Sequence, residues 1–257
     1  AWGNAWITFE SLTGDNSTVT LTSTPTDTAT NFTVRLDGAS FIRFNNMTIT
    51  TGGTTYSRVI ELRNGANNNE FNNNRLFGSS PTAIDINRAI VFSGNSYDYA
   101  NVFDSNYIKN GAYGIHISGV DSLITEYGND VSNNIFENQF AQSIHMEFQE
   151  TPGIVGNSIT NNLSTTSSFQ GVYIYQSSYG LIIEENKLYL TNAYVTAGFY
   201  FDGCYGSGEG GLVNNIIHIN STQTGNCAGI YNNNSALHEY IFNSINITGT
   251  NTTSTAI

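Results

Sequence analysis

The chain has 257 residues, of which only 11% are charged and 3 are proline, while hydrophobic residues reach 39% and aromatics 12%. It is too apolar to be disordered and too short to need a second core, and its 36 asparagines, with abundant Thr, Ser and Gly, argue against a coiled coil or an ordinary helical enzyme, since these residues form helices poorly. Eight basic against twenty acidic residues give a net charge of −12, which argues against nucleic acid or an anionic membrane surface as a partner, and no apolar run approaches the ~18 residues of a bilayer span.

The chain opens directly into Trp2, Trp6, Ile7 and Phe9, with neither a charged leader nor a signal-type apolar stretch, so any export signal is read as already removed. Residues 1–31 read as an irregular first rung. Thr252 to Ile257 resemble mid-sequence, and the whole is expected to be a piece of a longer polypeptide that continues at both ends.

From residue 32 onward the sequence repeats. Asn45, Asn74, Asn106, Asn134, Asn157, Asn186, Asn215 and Asn243 are separated by steps of 29, 32, 28, 23, 29, 29 and 28. Each has an apolar or aromatic residue three positions before it and another two positions after it, from Ile42 and Met47 to Tyr240 and Ile245. A second register runs through Val34, Ile60, Ile90, Ile115, Ile144, Val172, Phe199 and Ile230, with a further apolar residue two positions on in all but the last. Apolar residues at i and i+2 predict a strand with one buried face, and Gly often precedes it, as in Gly114-Ile115-His116-Ile117 and Gly171-Val172-Tyr173-Ile174. A unit of about 28 residues cannot bury its own apolar face, but parallel stacking does so, so the prediction is an all-β coil of at least eight rungs, a single domain over 1–257. At about 4.8 Å per rung it would be on the order of 40 Å long. The asparagines are expected to form an internal ladder, hydrogen-bonding rung to rung and taking up the left-handed backbone of the turn.

The Asn column and the Gly-flanked strands, carried best by Phe32-Thr-Val-Arg-Leu-Asp-Gly38 and Phe41-Ile-Arg-Phe-Asn-Asn-Met-Thr-Ile49, resemble the right-handed parallel β-helix of the pectate-lyase-like superfamily. They look most like the Asn/Thr-rich β-helix segments of large secreted bacterial surface proteins. The resemblance implies a secreted or cell-surface location and a functional face on one file of strands.

That face would carry Arg35, Glu61, Val91, His116, His145, Tyr173, Tyr200 and Tyr231 in one column, and Asp37, Arg63, Ser93, Ser118, Glu147, Tyr175, Asp202 and Asn233 in the next. Arg35 beside Glu61 and Asp37 beside Arg63 read as exposed cross-strand ion pairs. The later rungs offer a choice. His116, Tyr173, Tyr175, Tyr200 and Tyr231 are either an aromatic ladder that stabilises the sheet or a platform for a polysaccharide or other glycan, expected to be neutral or amide-bearing. Glu147 and Asp202, two rungs or about 9.5 Å apart, have the separation of the acid and base in an inverting glycosidase, with Tyr175 between them. His145 or His116 as base and a Tyr as acid would suit polysaccharide β-elimination, but the later rungs of this face lack the cation that a uronate needs, because six of the eight basic residues lie before residue 90. A non-catalytic binding or adhesive module is the leading reading, a polysaccharide-degrading enzyme the alternative, and a structural spacer a third.

No motif calls for a cofactor. His116, His145 and Glu147 share a face that can be drawn around a transition metal, and Asp121, Glu126, Asp130 and Glu150 supply oxygens of the kind Ca²⁺ takes, without EF-hand or RTX spacing. Cys204 and Cys227 are too few for a zinc site, and the repeat puts them at opposite ends of a strand region. Polar surface loops are expected at Gly94–Ala100, Val120–Asn129, Thr165–Gln170 and Cys204–Gly210, with Tyr97, Tyr99, Tyr127 and Tyr205 placed to border a groove.

Overall fold

The computed structural model describes residues 5–80, 82–164, 167–191, 194–205, 210–221, 226–236, 239–249 and 253–256. Three sheets of nine strands each wind into a parallel β-solenoid of about eight turns. The first sheet runs from Ile7–Glu10 through Asp130–Ser132 to Glu239–Ile241. The second runs from Thr20–Ser23 through Tyr107–Lys109 to Ser244–Gly249, and the third from Val34–Asp37 through Tyr113–Ser118 to Thr253–Thr255. Each strand pairs in parallel with its counterpart one turn away, so Ile115, Ile144, Val172, Phe199 and Ile230 form one vertical file. Among the described residues the one helical element is a 3₁₀ turn at Ile86–Arg88. The segment read as an irregular first rung contributes Ile7–Glu10 and Thr20–Ser23, which pair in register with the next turn.

Alternation turns one largely apolar face of each sheet inward. Phe9, Phe44, Phe71 and Phe103 stack along the axis with ring centroids 4.9, 5.6 and 5.1 Å apart. Val131, Ile154, Ile183 and Leu212 continue that file, all fully buried. Identical positions on successive turns therefore pack against each other, as stacked units must if none buries its own face.

At the corner between the first and second sheets, strand pairing stops and buried backbone groups lose their partners. Asparagine supplies them. The backbone N–H groups of Asn74, Asn106, Asn134, Asn157, Asn186 and Asn215 each donate to the Oδ1 of the next asparagine at 2.8–3.0 Å. Each side-chain amide donates to a strand carbonyl of the turn before, as Asn157 Nδ2 does to Val131 O at 2.7 Å. Asn45 is not in this file. Phe44 pairs with Phe71, so Met47 occupies the column position and its N–H donates to Asn74 Oδ1 at 3.1 Å. Two consecutive asparagines at 45 and 46 leave the phase ambiguous in sequence, and Asn45 Oδ1 ends up buried without a hydrogen-bond partner. The left-handed conformation also belongs elsewhere than expected. It falls on the residue before each column position, at Asn46, Asn73, Ser105, Asn133, Gly156, Glu185, Asn214 and Phe242, with φ between 52° and 68°.

The third rung is out of phase with the sequence reading. Val91 pairs with Ile115 and faces inward, while Phe92 pairs with His116 and faces outward. The run Ala89-Ile90-Val91-Phe92 is apolar throughout, so alternation gives it no phase. The corner decides: Ile90 fills the space beside Gly78 and Gly111, where an added Cβ would come within 2.9 and 2.7 Å of the Ile90 Cγ1. Ser93 is accordingly buried inside and Gly94 takes the place opposite Ser118. Two expected loops also shrink. Ser168–Tyr175 is a strand, so Ser168 to Gln170 belong to the third sheet, and Glu126–Tyr127 pairs with Gln149–Glu150 in a small two-stranded sheet. Residues 165, 166 and 206–209 lie outside the described residues.

Replacing Asn157 by Leu would strip the acceptor from Asn134 N–H and the donor from Val131 O, both inside the corner. Each orphaned group costs about 1–3 kcal/mol. Urea unfolding of Asn157→Leu is expected to show a midpoint lowered by the equivalent of about 2–6 kcal/mol; an unchanged midpoint would remove the column from the account of stability.

Candidate functional site

The outward face of the third sheet has the file expected from sequence, with Phe92 in place of Val91. His116 stacks on Phe92 at 5.5 Å, His145 on His116 at 4.2 Å, Tyr173 on His145 at 4.9 Å, Tyr200 on Tyr173 at 5.3 Å and Tyr231 on Tyr200 at 4.8 Å. Interplanar angles of 12–33° leave the ring faces occupied by one another. The Arg58 guanidinium closes the Phe92 end at 3.5 Å from the ring centroid, and Tyr231 at the other end is 44% exposed. Tyr113 adds an edge-on contact to both imidazoles, at 5.4 and 5.8 Å. Phe92 was missed in sequence because it lies one step off the register assumed for its strand, and Arg58 and Tyr113 because they lie three residues before the file positions Glu61 and His116.

The ion pairs of the first rungs are present, but one is not a surface feature. Glu61, only 8% exposed at its side chain, accepts from both Arg35 and Arg58, the latter at 2.8 Å. The Arg63–Asp37 pair is the exposed one.

Glu147, Tyr175 and Asp202 are direct neighbours on successive rungs. Glu147 is tied down: its Oε1 meets His145 Nε2 at 2.8 Å and its Oε2 accepts from Ser118 Oγ at 3.1 Å. The bond from His145 holds the Glu147 carboxyl below its usual range despite partial burial. That is the wrong direction for a general acid, whose proton must stay on near neutral pH. His145 spends its other ring nitrogen on Gln142 Oε1. With both nitrogens engaged, the His116–His145–Glu147 trio does not present a metal-ligand set. Burial pushes His116 down to about 3, helped by the charge of His145, and its Nδ1 is buried without a partner. Burial raises the Tyr173 hydroxyl, and the Asp202 and Glu147 charges add to the rise.

Asp202 is placed differently. The third-sheet strands end in left-handed residues, Phe148 at φ 54°, Gln176 at φ 42° and Gly203 at φ 62°, which turn the chain sharply away from the face. Beyond this bend a short parallel file of bridges links Glu150, Ser178, Tyr205 and Ala236. The step between face and file forms a groove of about 460 Å³, lined by Ser122, Tyr175, Gln176, Ser177, Ser178, Asp202, Gly203, Tyr205 and Asn234. Asn233 Nδ2 donates to Asp202 Oδ1 at 2.9 Å. Of the sequence candidates, Tyr175 and Asp202 line this groove; Glu147, His145, His116, Tyr173, Tyr200 and Tyr231 do not. Tyr200 and Tyr231 border a separate hollow of about 390 Å³ beside Cys227. Tyr205, one of the four loop tyrosines expected from sequence to border a groove, is 55% exposed in the groove wall. Tyr97, Tyr99 and Tyr127 cluster apart from it, with Tyr99 stacked on Tyr127 at 4.4 Å.

Behind the bend runs a second polar column that sequence reasoning missed. Asp98 Oδ1 accepts from Gly65 and Ala66 N–H, Glu126 Oε1 from Asp98 N–H, Ser177 Oγ from Gln149 N–H and Ser235 Oγ from Cys204 N–H. The spacing is regular, but the residue type changes at nearly every turn, which hides it. Glu126 therefore lies inside the corner, fully buried, and burial pushes its carboxyl up to about 8. Asp121 caps the N–H groups of Leu123 and Ile124, and Glu150 accepts from Thr125. The four acids drawn together for Ca²⁺ do not converge, and among the described residues no group of three His, Cys, Asp or Glu side chains is arranged to hold a metal. Cys204 and Cys227 are both free thiols, both buried.

No protein-family model, no curated protein and no solved structure matches the chain.

His116 and Glu126 bias stability in opposite directions. His116 is depressed on folding, so its contribution is complete above about 6.5 and is lost as pH falls towards about 3. Glu126 is raised, so its contribution is complete below about 4.5 and is lost as pH rises through about 8. The melting temperature is expected to trace a dome against pH. His116→Phe, which extends the Phe92 stack, should flatten its fall between about pH 6.5 and 4; an unaltered acid limb would show that the imidazole is not the group excluded from protonation.

Proposed function

We propose that the chain is a non-catalytic glycan-binding or adhesive module of a secreted or cell-surface protein, of the kind its resemblance to pectate-lyase-like bacterial β-helix segments implies. Its site is the groove between the third sheet and the Glu150–Ser178–Tyr205 file. The observation that carries this reading is the company Asp202 keeps: two aromatic rings, Tyr175 and Tyr205, with hydroxyl and amide groups from Ser122, Gln176, Ser177, Ser178 and Asn234. A few convergent polar groups beside apolar ring surface, in a concavity within the ~300–1,000 Å³ range of small-molecule sites, are what a sugar unit requires. The main aromatic column supports the sheet instead, because its ring faces are spent on one another.

The hydrolase alternative asks Glu147 and Asp202 to work as a pair. Glu147 is held ionised by His145 and lies outside the groove wall, so the geometry favours binding over hydrolysis.

A glycan array followed by calorimetric titration tests this. Tyr175→Ala and Tyr205→Ala should each weaken binding of a retained oligosaccharide about five- to tenfold, while Tyr189→Ala, on the second sheet, should leave it unchanged. Binding that ignores both groove tyrosines would move the site elsewhere, and an array without any retained glycan would reject the reading.

A further inference from the structure

We propose that the groove selects a glycan bearing a free primary amine, with the ammonium of a hexosamine unit seated against the Asp202 carboxylate beside Tyr175 and Tyr205. This rests on the glycan reading of the same groove and adds the chemical class of the ligand.

The distribution of cations points this way. Arg35, Arg43, Arg58, Arg63, Arg88 and Lys109 are all taken up in ion pairs away from the groove. Arg75 lies over the Phe77 ring at 4.9 Å, and Lys187 borders a hollow lined by Asn133, Glu185 and Asn214. Asp202 takes its side-chain hydrogen bond from neutral Asn233, and among the described residues it has no basic partner. A carboxylate in a concave site, on a chain of net charge −12, concentrates cations at the groove mouth and repels anionic sugars such as uronates.

The type of cation follows from the wall. A hard metal ion wants several oxygen anions, and no group of three metal-ligating side chains occurs among the described residues. An ammonium is satisfied by one carboxylate and gains from aromatic rings at its flanks, which Tyr175 and Tyr205 provide. The remaining lining, Ser122, Gln176 and Ser178, offers hydroxyl and amide groups to the ring hydroxyls of a sugar, a use that the aliphatic stem of a lysine side chain would leave unmade.

Calorimetric titration of the whole chain with glucosamine trimer, N-acetylglucosamine trimer, galacturonate trimer and a lysine tripeptide, at mildly acidic pH, separates the outcomes. The glucosamine trimer should bind about tenfold or more tightly than its N-acetylated form, as a charge-assisted contact supplies, with galacturonate weakest. That preference should shrink as salt is raised and vanish in Asp202→Asn. The wild-type ratio and its salt dependence decide the matter even if the variant fails to fold. Equal binding of the two hexosamine trimers, a preference that survives Asp202→Asn, or tighter binding of the lysine tripeptide overturns this inference and leaves the groove itself standing. Failure of every saccharide to bind overturns the glycan reading beneath it.

Discussion

A coil of stacked turns has one recurrent difficulty: at each corner the strands stop pairing, yet the backbone is still buried. Every buried N–H and C=O there needs a partner. This chain meets the demand with side chains that lie in the same file on successive turns. The Asn74-to-Asn243 column takes one corner, and Asp98, Glu126, Ser177 and Ser235 take another. Each member serves the turn before it, so a turn is complete only when the next has formed. Vertical order follows from this reciprocity, and the side-chain files on the outer faces inherit it.

Inheritance has a consequence for function. When like residues occupy one file at the rung spacing, aromatic rings meet face to face and use up the surface a ligand would need. The six rings from Phe92 to Tyr231 are in this condition. A usable aromatic face arises where the regular file is broken by a bend. Tyr205 is such a case: it follows the left-handed Gly203, leaves the sheet and stands in the groove wall at 55% exposure. The regular part of the coil builds the support, and its departures build the groove.

Legibility in the sequence divides along the same line. Stacking of units of about 28 residues was legible because apolar alternation and a repeated asparagine are both periodic signals. Phase was lost where that signal is degenerate. Asn45 and Asn46 offered two candidates for one position, and Ala89 to Phe92 offered no polar residue to mark the outer face; there the structure answers to Ile90 filling a corner beside Gly78 and Gly111. The second polar column escaped notice because the carboxylates of Asp98 and Glu126 give way to the hydroxyls of Ser177 and Ser235, different groups serving the same duty. Asp202 and Tyr175 were found because they sit on the regular face, whereas the groove they line depends on backbone bends that carry no uniform residue type.

Charge compensation along the third sheet changes with height. Arg35, Arg58 and Arg63 answer Glu61 and Asp37 on the early turns, and His145 answers Glu147 in the middle. Asp202, two rungs further, meets among the described residues only the amide of Asn233. A carboxylate left without a counter-charge is tolerable only where solvent or a ligand can reach it, because desolvation without a partner is costly. The groove lies at that turn, whereas the carboxylates of the earlier turns already have cationic partners. The position of the proposed site is thus set less by any one side chain than by the turn at which the third sheet stops supplying its own cations.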